Sequence, residues 1–173
     1  MEKAVFSTPL GPICLIADMG KLIYCKWKTP ENDKNFLEPE DNDKLNAETI
    51  DLEVLKQTVS QLREYFNGER KDFSIPYILQ GTEFQKKVWR EISQIGFGKT
   101  VSYKELADKI GREKAVRAVA NACGANPIAL IIPCHRVVSS KGKTGGYTGG
   151  LDKKINLLKH ETLKIFCNEK KNP

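Results

Sequence analysis

Residues 102–123 read SYKELADKIGREKAVRAVANAC, and this stretch decides the fold of the second half of the chain. Ser102 with Glu105 fits a capping box, in which the two side chains satisfy free backbone N–H groups at a helix start. A short helix is predicted from there through Ile110. Gly111-Arg112 then supplies a tight turn. A further helix, from about Glu113 to Cys123, is small on its surface at Ala115, Ala118, Ala120 and Ala122. Helix, glycine turn, helix is the helix-turn-helix pattern, which an ordinary helical hairpin shares.

On the N-terminal side, Thr82 with Gln85 fits a second capping box, and Phe84, Val88, Ile92 and Ile95 form an apolar stripe. Gly96-Phe97-Gly98 breaks that helix. Earlier still, Leu52, Leu55, Val59, Leu62 and Phe66 recur at helical spacing from Thr49, and Asn67-Gly68 ends the run. Ala4–Thr8 and Ile13–Ala17 read as a hairpin around Pro9-Leu10-Gly11-Pro12, with a third strand over Lys21–Trp27. Residues 28–47 are polar and acidic and read as a surface loop, and 69–80 as an extended linker around Pro76. The prediction is an α+β protein: an α/β domain over 1–78, a mainly helical domain over 79–165, and a short polar tail over 166–173.

The 173 residues are 40% hydrophobic, enough for a core. The longest apolar run, Ile128 to Pro133, is far too short to span a bilayer, and the N-terminus MEKAVFSTPLG lacks the apolar region of a signal peptide. Five cysteines at irregular spacing, without Cys-x-x-Cys and with only His135 and His160 as histidines, predict neither a disulfide framework nor a metal site. A soluble, reduced, cytoplasmic protein is expected. Charge divides unevenly: residues 1–80 carry 10 Lys and Arg against 14 Asp and Glu, net −4, while residues 81–165 carry 16 against 7, net +9. With the helix-turn-helix pattern, that asymmetry points to DNA bound by the second domain. The alanines let the last helix of the motif approach the backbone and the narrow minor groove, with Arg117 projecting from its middle.

After the apolar run Ile128–Ile132 and Pro133 come Cys134, His135 and Arg136. A cysteine at a strand end beside two cationic side chains is set to be a nucleophile, because neighbouring positive charge favours the thiolate. Adjacent side chains on an extended segment point apart, so Cys134 and His135 need a sharp turn or a bridging water to exchange a proton. Gly142–Gly150 (GKTGGYTGG) is a glycine-rich loop carrying Tyr147. It is no phosphate loop, for it lacks the required earlier glycine. Leu151, Ile155 and Leu158 predict a last helix ending at His160-Glu161, whose Glu161 could orient His135.

Pro133-Cys134-His135-Arg136-Val137 resembles the active-site signature of the O6-alkylguanine-DNA alkyltransferases. Residues 82–89 (TEFQKKVW), 100–106 (TVSYKEL), 114–126 (KAVRAVANACGAN), 131–138, 146–150 and 157–161 are similar to that family, in order and at its spacing. The resemblance covers about residues 80–162. Over residues 1–75 it is general.

The resemblance implies an N-terminal ribonuclease-H-like α/β domain and a C-terminal winged-helix/helix-turn-helix DNA-binding domain. It implies direct repair: an irreversible, stoichiometric transfer of a methyl or other alkyl group from guanine O6, and also thymine O4, to Cys134. His135 would be the base, acting through a water; Glu161 would hold the imidazole; Asn126 would order the turn that carries Cys134. Tyr103 would hydrogen-bond the flipped guanine. The backbone carbonyls of Cys134 and Val137 would accept from its amino group, while Tyr147 and the Thr148 N–H would close the pocket. Arg117 would fill the vacated base stack, with Ala115, Ala118, Ser102 and Arg136 also at the DNA. The partner would be double-stranded DNA containing alkylated guanine, bound by a monomer without cofactor, metal or membrane. Thr148 stands where many members have Ser, and Cys123 is expected to be packing. Two other readings use the same residues: a lesion binder or regulator in which Cys134 is incidental, and a Cys-His hydrolase. Formation of a methylated Cys134 separates them.

Overall fold

The computed structural model describes residues 1–29, 49–139 and 144–169. The acidic loop expected over 28–47 lies almost wholly outside them, as do residues 140–143 of the glycine-rich segment and its approach. Two compact units emerge: Met1–Gln80 with Pro127–Ile131, and Gly81–Asn126 with Ile132–Pro173. Five residues, Pro127–Ile131, return to the first unit before the chain re-enters the second.

In the first unit, β1 (Glu2–Thr8), β2 (Gly11–Asp18) and β3 (Lys21–Trp27) form an antiparallel sheet in that order. Register runs from Glu2 opposite Ala17 to Thr8 opposite Gly11, and Leu15 lies opposite Cys25. The free edge of β3 is covered twice. Leu22 exchanges backbone hydrogen bonds with Pro76 and Ile78, and Cys25 with Pro127 and Ala129. Pairing an exposed edge in this way removes a template for aggregation. Helix α1 (Ile50–Asn67) is capped by the Thr49 hydroxyl, which accepts from the Leu52 N–H, and closed by Gly68. It packs on all three strands. Its buried face is Leu52, Leu55, Val59, Leu62 and Tyr65; Tyr65, rather than the expected Phe66, is the fully buried aromatic.

In the second unit, α2 (Glu83–Ser93) and α3 (Tyr103–Lys109) both start with complete capping boxes, Thr82 with Gln85 and Ser102 with Glu105. Gly111, at φ +68°, turns the chain in a left-handed conformation that a side chain would strain. A 3₁₀ turn, Glu113–Ala115, leads into α4 (Val116–Gly124). Val88, Trp89, Ile92, Leu106, Ile110, Val119 and Ala122 form the core among these helices, and the Trp89 indole donates to the Ala122 carbonyl at 2.8 Å. Strands β4 (Val101–Ser102) and β5 (Val137–Val138) pair in parallel. That pairing sets the first residue of α3, Tyr103, beside the segment that carries Cys134.

The final helix, α5, runs Leu151–Glu169, past the His160-Glu161 end expected from its apolar pattern and into the segment expected to be a tail. Its buried face also differs. Lys154, Leu157 and Glu161 are buried, whereas Leu151 is 47% exposed. Apolar periodicity misjudged this face because Lys154 and Glu161, two of the three residues described there as buried, are charged.

Candidate active site

Ile128–Ile132 is not a strand. Ile128 makes one bridge to Cys25, and Leu130 then turns at φ +71°. Cys134 correspondingly opens a 3₁₀ turn, Cys134–Arg136, instead of ending a strand. Short apolar runs of this kind look alike whether they form strands or buried turns. Asn126 fixes the turn: its amide donates to the Ile132 carbonyl at 2.8 Å and to Cys134 Sγ at 3.1 Å. Cys134 is 8% exposed.

The His135 side chain is fully buried. Its Nε2 lies 2.9 Å from Glu161 Oε1. An ionised carboxylate can only accept, so Nε2 carries the hydrogen and Nδ1 keeps a lone pair. Nδ1 has no hydrogen-bond partner among the described residues. Burial holds His135 below the ordinary imidazole range, against the opposing pull of Glu161. At neutral pH it is therefore an uncharged base with its lone pair at Nδ1.

Glu161 is the hub of the buried network. Burial by itself raises a carboxyl, but the hydrogen bonds from His135 and Arg136 outweigh it and hold Glu161 far below the usual carboxylate range. Its Oε2 also accepts from the Gly98 N–H at 3.0 Å. Arg136 makes a bidentate pair with Glu161, through Nε at 3.0 Å and Nη2 at 2.9 Å, and donates to the Ile95 carbonyl. It is 5% exposed. Arg136, expected at the DNA, is instead buried as the counter-ion that keeps Glu161 charged. Ser102, also expected at the DNA, is 9% exposed, and its hydroxyl accepts from the Glu105 N–H as the helix cap expected from the capping box.

A cavity of about 360 Å³ opens at the sulfur. Tyr103 and Cys134 form its inner part, Ala120, Asn121, Cys123 and Gly124 one wall, and Gly146, Tyr147 and Thr148 the other. Cys123 therefore faces the same space as Cys134, where the sequence suggested packing alone. Burial, then the charges of Cys123 and Cys134, push the Tyr103 hydroxyl up to about 12, so it stays a donor at neutral pH. Gly145, at φ +69°, lies against that ring; a Cβ there would come within 2.9 Å of Tyr103 Cε2. Val137 has its carbonyl in use, accepting from Lys154 Nζ at 2.6 Å, and the Cys134 carbonyl accepts from the Val137 N–H. Each carbonyl keeps a second lone pair for a ligand.

Lys154 was not singled out by sequence. It is fully buried, also donates to the Gly146 carbonyl at 3.1 Å, and lies 5.7 Å from the centre of the Tyr103 ring. Burial lowers its pKa, while the nearby Cys134 and Cys123 raise it. The signal that could have revealed it is its spacing from Leu157 and Glu161, i to i+3 and i+7 on one helix face. Arg117 and Ala118 are exposed on α4 and Ala115 is half-buried at its start, away from the buried network but on the helix that forms one wall of the cavity.

Two family models match. Residues 1–78 fit the 6-O-methylguanine DNA methyltransferase ribonuclease-like domain, and residues 83–163 its DNA-binding domain. A methylated-DNA–protein-cysteine methyltransferase of Methanosarcina acetivorans is 42% identical over 161 residues, 93% of this chain and 98% of the relative. The chain belongs to the methylated-DNA–protein-cysteine methyltransferase family. Among solved structures, Mycobacterium tuberculosis O6-methylguanine methyltransferase matches with TM-score 0.77 and 35% identity, covering 94% of this chain and 93% of that one. The M. tuberculosis OGT in complex with DNA matches with TM-score 0.80 and 35% identity, covering 95% and 94%. These family matches span both units, so the methyltransferase architecture accounts for the small sheet as well as the helical part.

Proposed function

We propose that this chain repairs DNA by taking an alkyl group from O6 of guanine, or O4 of thymine, onto Cys134. The observation that carries the reading is the polar chain beneath the thiol: Asn126 on Sγ, and a neutral His135 oriented by Glu161, which Arg136 keeps ionised. His135 Nδ1 takes the thiol proton through a bridging water. The sulfur attacks the alkyl carbon, the S–C bond forms as the C–O6 bond breaks, and the purine leaves and is protonated. Tyr103, held as a donor, hydrogen-bonds the departing base. The Thr148 N–H supports O6, Tyr147 closes the pocket, and the carbonyls of Cys134 and Val137 receive the guanine amino group.

O6 inside a stacked duplex cannot meet the sulfur in line, so the base must be flipped out. The α4 surface at Ala115, Arg117 and Ala118 suits the minor groove, with Arg117 entering the stack. Residues 79–165 are the working domain in this reading. It acts in the cytoplasm as a monomer on double-stranded DNA. Among the described residues, no helix is long and apolar enough to cross a membrane. The product is a thioether, which is not cleaved by any group in the site, so each chain reacts once.

The test is a titration with excess DNA carrying O6-methylguanine. One equivalent is consumed, Cys134 gains one methylene mass, and the reaction stops. DNA binding without an adduct would instead identify a lesion binder, and turnover beyond one equivalent would remove the single-use mechanism.

A further inference from the structure

Three contacts hold the described part of the glycine-rich loop against the cavity. Gly145 lies on the Tyr103 ring, the Gly146 carbonyl accepts from Lys154, and the Thr148 hydroxyl donates to the Gly124 carbonyl at 2.7 Å. The first two fix the loop to the inner part of the pocket. The third joins it to α4, whose residues also line the cavity. Gly124 is the last residue of α4, and the carbonyls at a helix end have no partner within the helix. Thr148 satisfies one of them, so a neutral hydrogen bond ties two sets of lining residues together, Asn121–Gly124 on the helix and Gly146–Thr148 on the loop.

We propose that the Thr148 hydroxyl is a latch: by binding the Gly124 carbonyl it sets the width between helix and loop, and so the size of O6 substituent the pocket admits. Thr148 acts here as a positioning and specificity residue. The inference rests on the alkyl-transfer reading of Cys134 and adds a second role to Thr148, distinct from its backbone N–H. With the latch closed, that N–H is aligned on O6 of a small lesion and the wall stands close to a methyl group. With it open, alignment is weaker, but a bulky group gains room. A methyl lesion therefore loses from opening, while a benzyl lesion loses less or gains.

The experiment uses the full chain and short single-stranded oligonucleotides carrying O6-methylguanine or O6-benzylguanine, so that base flipping from a duplex does not enter. Half-saturating concentration and limiting rate of Cys134 alkylation are measured for wild type, Thr148→Val and Thr148→Ser, together with their melting temperatures. Valine keeps the shape and removes the donor. One neutral hydrogen bond corresponds to about three- to tenfold. In Thr148→Val the half-saturating concentration for the methyl oligonucleotide rises by that factor, its limiting rate changes less, and the benzyl-to-methyl ratio rises. Thr148→Ser restores the ratio. If valine slows both substrates alike, or leaves the ratio at the wild-type value, the latch has no part in selectivity and the proposal is overturned. If serine fails to restore the ratio, the hydroxyl does not set it, which also overturns the proposal. Failure of wild type to gain an alkyl mass on Cys134 would instead refute the alkyl-transfer reading, a result visible before any variant is compared.

Discussion

Two pairs of buried thiols occupy opposite surroundings in this chain. Cys14 and Cys25 lie on adjacent strands of the first unit, each without exposed surface, among Ile13, Leu15, Ala17 and Leu22. Burial, then the charge of Cys14, pushes the Cys25 thiol far up, away from its reactive form. Cys123 and Cys134 are nearly as buried, at 6% and 8% exposure, yet they face a cavity shared with the Tyr103 hydroxyl. The first unit pairs its buried polar side chains separately: Thr58 with the Val54 carbonyl, Gln61 with Ser74, and Asp51 with the Gly20 N–H. The second unit gathers Asn126, His135, Arg136, Lys154 and Glu161 around one turn. Burial does not distinguish an inert thiol from an acceptor; the polar groups packed behind it do.

The largest effect that tests this comparison is loss of the acceptor. Cys134→Ala forms no adduct with methylated DNA and still binds it, since binding rests on helices and phosphate contacts. Cys14→Ala and Cys25→Ala keep the one-equivalent endpoint and lose about 1 kcal/mol of stability from a small core deletion. Intact mass after alkylation and urea unfolding read the two properties. An alkyl group found on Cys25 would break the comparison outright.

Much of this arrangement is legible in the sequence, unevenly. The three strands, the capped helices and the glycine turn follow from local rules that need only near neighbours: Thr82 with Gln85, Ser102 with Glu105, Gly111 with its positive φ. The signature residues stand out through the resemblance of Pro133–Val137, with the other matching segments in order, to the family. The buried framework is harder to read. Arg136 looks like a surface DNA contact by type, and only the fold shows that it pairs with Glu161; Ser102 is legible as the cap of α3, but its burial is not. Lys154 escapes notice because a lysine breaks an apolar stripe on paper, while in the fold its ammonium reaches the Val137 and Gly146 carbonyls. Partners supplied from distant segments cannot be inferred from local spacing.

The next effect concerns stability. Glu161→Ala leaves Arg136 buried without its carboxylate, and breaking a buried pair in this way costs about 3–5 kcal/mol. Gln61→Ala, in the first unit, removes neutral hydrogen bonds to Ser74 and costs about 1–3 kcal/mol. Urea midpoints of the two variants measure the contrast. Equal losses would mean that the second unit's charged network is no more demanding than the first unit's neutral one.

A smaller effect separates the exposed helix from the buried network. Extruding a base from a duplex costs a few kcal/mol, and less when it is unpaired. Arg117→Ala should therefore slow alkylation on duplex DNA by roughly tenfold or more while leaving free O6-benzylguanine much less affected. His135→Ala should slow both substrates, because it acts at the sulfur. Single-turnover rates on duplex and free base, taken side by side, show the contrast. If Arg117→Ala slows both equally, the exposed face of α4 belongs to the chemical site or the fold.

The smallest effect is a pH dependence that reports how His135 is held. An exposed imidazole titrates near 6.5. In the folded chain burial keeps His135 lower, so between these two values the unfolded chain binds a proton that the folded chain refuses. Stability is then fully present above about pH 6.5 and falls as pH drops toward the folded value, by at most about 1.4 kcal/mol per pH unit. Glu161 has its folded pKa held down as well, but its share of stability is lost only as pH falls through the carboxylate range, about 4.3 and below. The interval from pH 7.5 to 5.5 therefore isolates the histidine. Unfolding free energies at those two pH values, compared between wild type and His135→Gln, should show a decline in wild type that the variant reduces. Alkylation by wild type should likewise persist below pH 6.5, because the base at Nδ1 remains uncharged there. If both chains lose stability equally and the alkylation rate halves at 6.5, His135 titrates as an exposed imidazole. The neutral tautomer set by Glu161 would then not be the working state of the site.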